Sequence, residues 1–550
     1  MDRRAFAFWA TLIGLMIGVL GNILFYGHRI GLSFPIFTVM VVTVLLFSPR
    51  LADQKLRQRN LWPLIPLLFF ATMVAFRADP VILLLDILAV LALGGLTLHY
   101  LPSEHPLDED SIMEHTSAVC EAGIGTLGSP MAEYIDAWGW VKAHAWRDNH
   151  IPTAILRGLA ITIPVVIIFA ALLGSADVVF GQYVDDLWEA FIIDDMTTLF
   201  GRLALIGGLA WLMTGALAYG WARRVRVRRE IRIRPELQSA TDAAIPDNSE
   251  NPAAEVPSPI PDNTPPLPEK RKIRSFRLGI IETGMLLGSI NLLFALFVLI
   301  QFTYFFGGQK NIEGYTYAEY ARRGFFELVT VSVLTLGLLL ALDQITIRPE
   351  KQQHTIFRGL AVFLVVLMGV MLVSAFRRMG LYEEAFGFTR LRVFVHIFII
   401  WLGMLFVAFT LDMFRIKTNV FSLGVLLVAI GYLATLNLLN IDMYIVKHNL
   451  ARFEDGRQLD PCYLRGLSMD AVPAMIELRE HIDDETTRNH IDRWLQWQLY
   501  DLDEIRDDNA FFTFNWSIDR AWDRLNPLRD ILPAHYPDRQ YWEDCSTYVR

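Results

Sequence analysis

Eleven runs of mostly apolar residues, roughly 16 to 29 residues each, punctuate this chain. At about 1.5 Å of rise per helical residue, such runs cross or nearly cross the ~30 Å hydrocarbon core of a bilayer. They fall at Phe6–Tyr26, Ile30–Phe47, Leu61–Phe76, Val81–His99, Gly158–Phe180, Leu203–Trp221, Leu278–Phe306, Phe325–Leu342, Gly359–Phe376, Val393–Leu411 and Val420–Leu438. The expected fold is therefore an all-α integral membrane protein of about eleven transmembrane helices, followed by a small helical extramembrane domain. With 53% hydrophobic and only 19% charged residues, the 550-residue chain carries less charge than a soluble protein, where about a quarter of residues are charged. The weakest run is Leu61–Phe76, the shortest, with Pro63 and Pro66 in its first turns.

Basic residues between the runs set the orientation. With the N-terminus inside, the inner loops hold 26 Lys and Arg and the outer loops 10, the tail aside. This bias places the N-terminus in the cytoplasm. An odd number of spans then puts the C-terminus on the extracytoplasmic side of a bacterial inner membrane. Cys462 and Cys545 fall in that tail, where a disulfide would persist, whereas Cys120 falls in an inner loop. Two cysteines so far apart are weak grounds for a bridge, and unpaired thiols are the default expectation there.

Four segments follow. Residues 1–221 form a first bundle of six spans with a cytoplasmic loop at 102–153, whose stretch Met131–Trp146 has the spacing of an interfacial amphipathic helix. Residues 222–277 form a linker, disordered over its Pro-rich and acidic part, Pro235–Glu269. Arg223, Arg224, Arg226, Arg228 and Arg229 on one side and Lys270, Arg271 and Lys272 on the other are the expected contacts to anionic lipid headgroups. Residues 278–438 form a second bundle of five spans. Residues 439–550 form an acidic helical domain, with Asn440, Asp460 and Ser468 or Asp470 as helix caps and Ile491, Leu495, Leu499 and Leu502 at helical spacing.

The motifs Tyr320-Ala-Arg-Arg-Gly-Phe-Phe-Glu-Leu328, Asn440, Asn449-Leu-Ala-Arg452, Leu459-Asp460, Tyr463-Leu464, Leu467-Ser468 and Asp470-Ala-Val-Pro473 carry a resemblance. Over about Leu278 to Asp523 the chain resembles bacterial multi-span proteins of the domain-of-unknown-function 4173 family, itself related to 4153. The resemblance implies a topology and no known reaction.

Phosphate-binding, zinc-protease, Cys-x-x-Cys and nucleophile-elbow motifs are missing, so the sequence names no catalytic residue, cofactor or metal and argues against familiar enzymes. Nor is there a nucleic-acid module. Charges inside spans are costly unless paired, which draws attention to Asp86, Glu327 and His396, each near the outer end of its run. With Arg322 and Arg323 at the rim they make a candidate polar cluster. The bland alternative is that each makes a private hydrogen bond between helices. The functional expectation is a membrane scaffold or sensor that meets lipids and an envelope protein partner through its tail. The alternative is a transporter or lipid-handling protein, which needs a polar cavity among the spans.

Overall fold

The computed structural model describes residues 3–47, 58–103, 106–145, 196–243, 277–306, 325–414, 420–506 and 511–532. The described residues are helical and contain no strand, only an isolated bridge between Leu278 and Thr346. Among the described residues, eight helices are long and apolar enough to cross a membrane. The chain divides into two compact units: Met1–Val227 with Arg465–Arg550, and Arg228–Leu464.

In the first unit, α1 (Arg3–Phe25) and α2 (Ser33–Phe47) precede a 3-10 turn and the ten-residue α3 (Leu64–Met73). Next come α4 (Pro80–Tyr100), α5 (Ile112–Gly128), α6 (Pro130–Ala145) and α7 (Met196–Ala243), with the boundary between the units falling inside α7. Two expected spans are therefore short. The run at Ile30–Phe47 is helical over 15 residues, and that at Leu61–Phe76 over only 10, because Pro63 stands at the N-cap and cannot donate to a preceding turn. The segment nevertheless runs the length of α4. Asn60 donates to the Tyr100 carbonyl at one end (3.1 Å), and the turn after α3 leads into Asp79, the N-cap of α4, at the other. The run Gly158–Phe180 lies outside the described residues.

Small residues bring α1 and α7 together. A Cβ at Gly14 would overlap Thr214 Oγ1, and one at Gly18 the Ile206 carbonyl, so the two backbones touch where side chains would hold them apart. The helices are antiparallel, with Gly201 beside Tyr26 and Trp221 stacked on Phe6 at 4.2 Å. Helix α6 sits at the Arg3 end of α1, through Arg3–Asp136 (3.1 Å) and Trp140 stacked on Phe8 (4.3 Å). The stretch expected to be an amphipathic helix is helical over Pro130–Ala145, with Met131, Ile135 and Trp138 exposed. Helix α7 continues to Ala243, so the first part of the segment 222–277 is helical.

The second unit contains α8 (Ile280–Phe306), α9 (Phe325–Ile345), α10 (Lys351–Phe386), α11 (Arg390–Phe414), α12 (Val420–Leu439), α13 (Ile441–Glu454) and the short α14 (Pro461–Leu464). Its core is apolar: Leu287, Leu339, Phe357, Leu364, Met368 and Phe406 are buried. Polar residues in these spans bond to helix backbones, as in Ser332 to the Leu328 carbonyl (2.7 Å) and Asn291 to the Leu360 carbonyl (3.0 Å). At 36 residues, α10 measures about 54 Å and outruns the apolar run Gly359–Phe376 at both ends.

The remaining helices, α15 (Val472–Glu480), α16 (Glu485–Arg506) and α17 (Trp516–Leu525), belong to the first unit. Ile491, Leu495, Leu499 and Leu502 are buried along α16, as their spacing predicts, beside Trp494. Cys462 is disulfide-bonded, against the expectation of a free thiol, and Cys120 is free and exposed. Cys545 lies outside the described residues.

Candidate functional site

In each unit a cluster of polar side chains surrounds one turn between apolar helices. In the second unit this is the turn from α10 to α11. Helix α10 stops at Gly387, whose φ of 86° and ψ of 164° suit glycine alone, and its last carbonyls lack helical partners. Two arginines supply them. Arg452 of α13 donates to the carbonyls of Glu384 (2.8 Å) and Ala385 (3.1 Å), and Arg392 of α11 donates to those of Phe386 (3.0 Å) and Gly387. Asn449 brackets Phe388, accepting from its N–H at 2.9 Å and donating to its carbonyl at 3.0 Å.

Deeper in the same cluster, Arg390 makes a bidentate pair with the buried Asp442, its Nε at 2.6 Å, while its backbone N–H donates to the Tyr463 hydroxyl at 2.6 Å. Glu383, only 2% exposed, meets His396 Nδ1 at 2.7 Å, and the imidazole lies edge-on to Phe376. Burial pulls the Arg452 guanidinium below its ordinary range, with Arg457 and Arg392 adding like-charge repulsion. Burial pushes the Tyr463 hydroxyl up, opposed by the hydrogen bond and the charge of Arg390. Beside the cluster is a cavity of about 420 Å³ lined by Arg392, Tyr382, Thr389, Leu391, Val395 and Phe326, among others.

In the first unit the turn from α3 to α4 is the anchor. Asp79 caps α4 through Val81 and Ile82, both at 2.9 Å. Asp470, 3% exposed, accepts from the N–H groups of Ala78 (3.0 Å) and Asp79 (3.2 Å) and from the Ser517 hydroxyl. Asn515 caps α17 and donates to the carbonyls of Val74 (3.2 Å) and Arg77 (2.9 Å), and Trp516 N–H donates to Ala75 (2.8 Å). Leu32, after α1, donates to the Phe514 carbonyl at 2.9 Å. Burial lowers the Arg77 guanidinium, offset by the charges of Asp470 and Asp86.

The residues singled out from sequence are distributed as follows. His396 is paired, but its carboxylate is Glu383; Glu327 is exposed on the first turn of α9. Asp86 is fully buried on α4 in the first unit, within electrostatic reach of Arg77. Arg322 and Arg323 lie outside the described residues. Among the headgroup contacts, Arg223 donates to the His99 carbonyl (2.8 Å) and lies 3.8 Å from Glu121. Arg224, Arg226, Arg228 and Arg229 fall on α7, and Lys270, Arg271 and Lys272 lie outside the described residues. Sequence reasoning missed Glu383 because the apolar run ends at Phe376 and the helix does not. The signal available was Gly387, the second glycine after that run, where the helix ends with positive φ.

Among the described residues no group of three or more His, Cys, Asp or Glu gathers to hold a metal. The chemistry of both clusters is capping and clamping. Of the residues that carry the resemblance, Asn440, Asn449, Arg452, Asp460, Tyr463, Ser468 and Asp470 each hold a helix end or a turn. A family model described as a domain of unknown function, DUF4153, matches residues 64–478. The chain belongs to the DUF4153 family. No curated protein and no solved structure matches it. The DUF4153 match starts at the first residue of α3, well before Leu278, where the expected resemblance begins, and so takes in both turns that the clusters anchor.

Proposed function

We infer that this DUF4153 protein is a membrane scaffold or sensor, and that the helices after α12 are its interaction surface on the extracytoplasmic side. The observation that carries the reading is the use made of the polar residues: they fasten α13, α14 and the segment from Ser468 to Ser517 to turns between apolar helices. Among the described residues, the charged members of these clusters are spent on helix ends and turns. A conduit needs a sizeable cavity bordered by several charges. The 420 Å³ cavity has Arg392, and a 460 Å³ cleft along α1 and α2 is bordered by apolar side chains and Thr43, whose hydroxyl is spent on the Val39 carbonyl.

Eleven crossings remain our proposal, with α2, the segment 58–76 and Gly158–Phe180 added to the eight long helices. In support, α7 begins near Tyr26, at the end of α1 away from Arg3. Phe514, bonded to Leu32, likewise sits at the end of α1 away from Arg3. With a cytoplasmic N-terminus, this puts the tail outside. Kinship with the 4173 family rests on the motifs alone and is part of the same proposal. Reporter fusions after Asp412 and after Tyr444 test the topology: the first should report the cytoplasm and the second the exterior. A cytoplasmic report from both would overturn the placement of the interaction surface.

A further inference from the structure

We propose that the cavity beside Arg392 binds one anionic phospholipid, its phosphate on the guanidinium and its acyl chains against Leu391, Val395 and Phe326. Three features of the site lead there. Arg392 has no carboxylate partner among the described residues; its hydrogen bonds go to the carbonyls of Phe386 and Gly387 and to the Tyr382 hydroxyl, over whose ring it lies at 4.3 Å. These use three of the five N–H donors of a guanidinium, and the two left over are the ones a phosphate oxygen can take. The carbonyls fix the cation in place, so a ligand does not have to order it.

The second feature is the surrounding charge. Arg452 lies close enough to Arg392 for its positive charge to be felt, and it too is held by carbonyls instead of a carboxylate. The cavity borders the first turn of α11, a 25-residue helix whose N-terminal dipole adds to the preference for an anion. Arg390, by contrast, is neutralised by Asp442 and leaves Arg392 as the cation facing the space.

The third feature is the wall. Leu391 and Phe326 are 64% and 55% exposed at the ends of helices that qualify as membrane spans, so the open side of the cavity adjoins the lipid-facing surface. A volume of about 420 Å³ exceeds what a free phosphate fills and suits a headgroup with the upper part of its chains. Thr389 adds a hydroxyl at the polar end. The site stands apart from the scaffold reading, since a resident lipid serves a sensor and a conduit alike.

The test is native mass spectrometry of the full chain released from mixed micelles holding equal phosphatidylglycerol and phosphatidylcholine. The wild type should retain phosphatidylglycerol in preference, and Arg392→Gln should lower that retention about tenfold, as expected for loss of a charge-assisted pair. Because Arg392 also caps α10, Leu391→Trp, at an exposed wall position, provides a second variant that fills the cavity and leaves the cap intact; it should lose the lipid with an unchanged melting temperature. Equal retention of the two lipids by the wild type, or undiminished phosphatidylglycerol on both variants, would overturn the site. Full displacement by millimolar glycerol phosphate would also overturn it, by showing that the cavity takes a free phosphate and has no use for the chains. The reporter fusions are blind to all of these outcomes, so the two readings fail separately.

Discussion

Asp470 shows how much of this protein's organisation rests on single polar atoms. Its carboxylate is the acceptor for two consecutive backbone N–H groups of the α3–α4 turn. Asp470→Ala should cost about 1 to 3 kcal/mol, the usual penalty for leaving buried donors unsatisfied. Asp470→Asn, which keeps an acceptor oxygen, should cost less. Thermal unfolding in detergent measures both, and a wild-type midpoint for Asp470→Ala would show that the clamp is dispensable. At this scale the sequence was legible in part. Asn440 caps α13 and Asp460 caps α14 as their types and positions suggest. Asp470, in contrast, is less a cap of its own segment than an acceptor for a distant one, and nothing local to residue 470 reveals partners near residue 78. The same applies to His396, whose partner Glu383 lies beyond Phe376, where the apolar run that hydropathy can see ends.

Among elements, hydropathy located the long helices but not the way they approach one another. The α1–α7 contact is written in Gly14, Gly18 and Gly21, spaced to fall along one side of α1, and in a span these are easily passed over as ordinary apolar filler. Gly18→Leu should push the backbones apart and destabilise the first unit by about 1 to 3 kcal/mol, the range for overpacking a close contact. Loss of folded protein in detergent, compared with Leu15→Ala on an exposed part of the same helix, checks this; equal behaviour of the two variants would remove the seam from the account. Helix lengths were misjudged where hydropathy and helicity part company. Helix α3 is shorter than its apolar run because proline halts it, and α10 is longer because Arg377, Arg378, Glu383 and Glu384 continue a helix that no longer needs to be apolar.

On the scale of the whole molecule, the charge bias, the ends of α1 and the bonded Cys462 all bear on which face the tail occupies. A disulfide persists in an oxidising compartment and is reduced in the cytoplasm. In cells, Cys462 should therefore resist maleimide alkylation until a reductant is added, while Cys120 should react once the inner face is made accessible. Mass spectrometry of the alkylated peptides reads both. Ready alkylation of Cys462 without reductant would contradict the bonded state and withdraw its support for an outer tail. The division into two units was the least legible property of all, because the sequence suggests segments that follow one another, whereas the first unit is completed by residues from the far end of the chain.

That completion has a consequence in time. The bond from Ala78 to Asp470 joins positions 392 residues apart. At a synthesis rate of about 5 to 20 residues per second, the α3–α4 turn is made roughly 20 to 80 s before its acceptor exists. For that interval the first helices are inserted but unfinished, with the N–H groups of Ala78 and Asp79 exposed to water or to another partner. A chain that stops short of residue 470 would keep every apolar span and still lack the piece that closes its first half. Nonsense and frameshift variants between the last span and residue 470 should then behave as folding defects of the N-terminal helices.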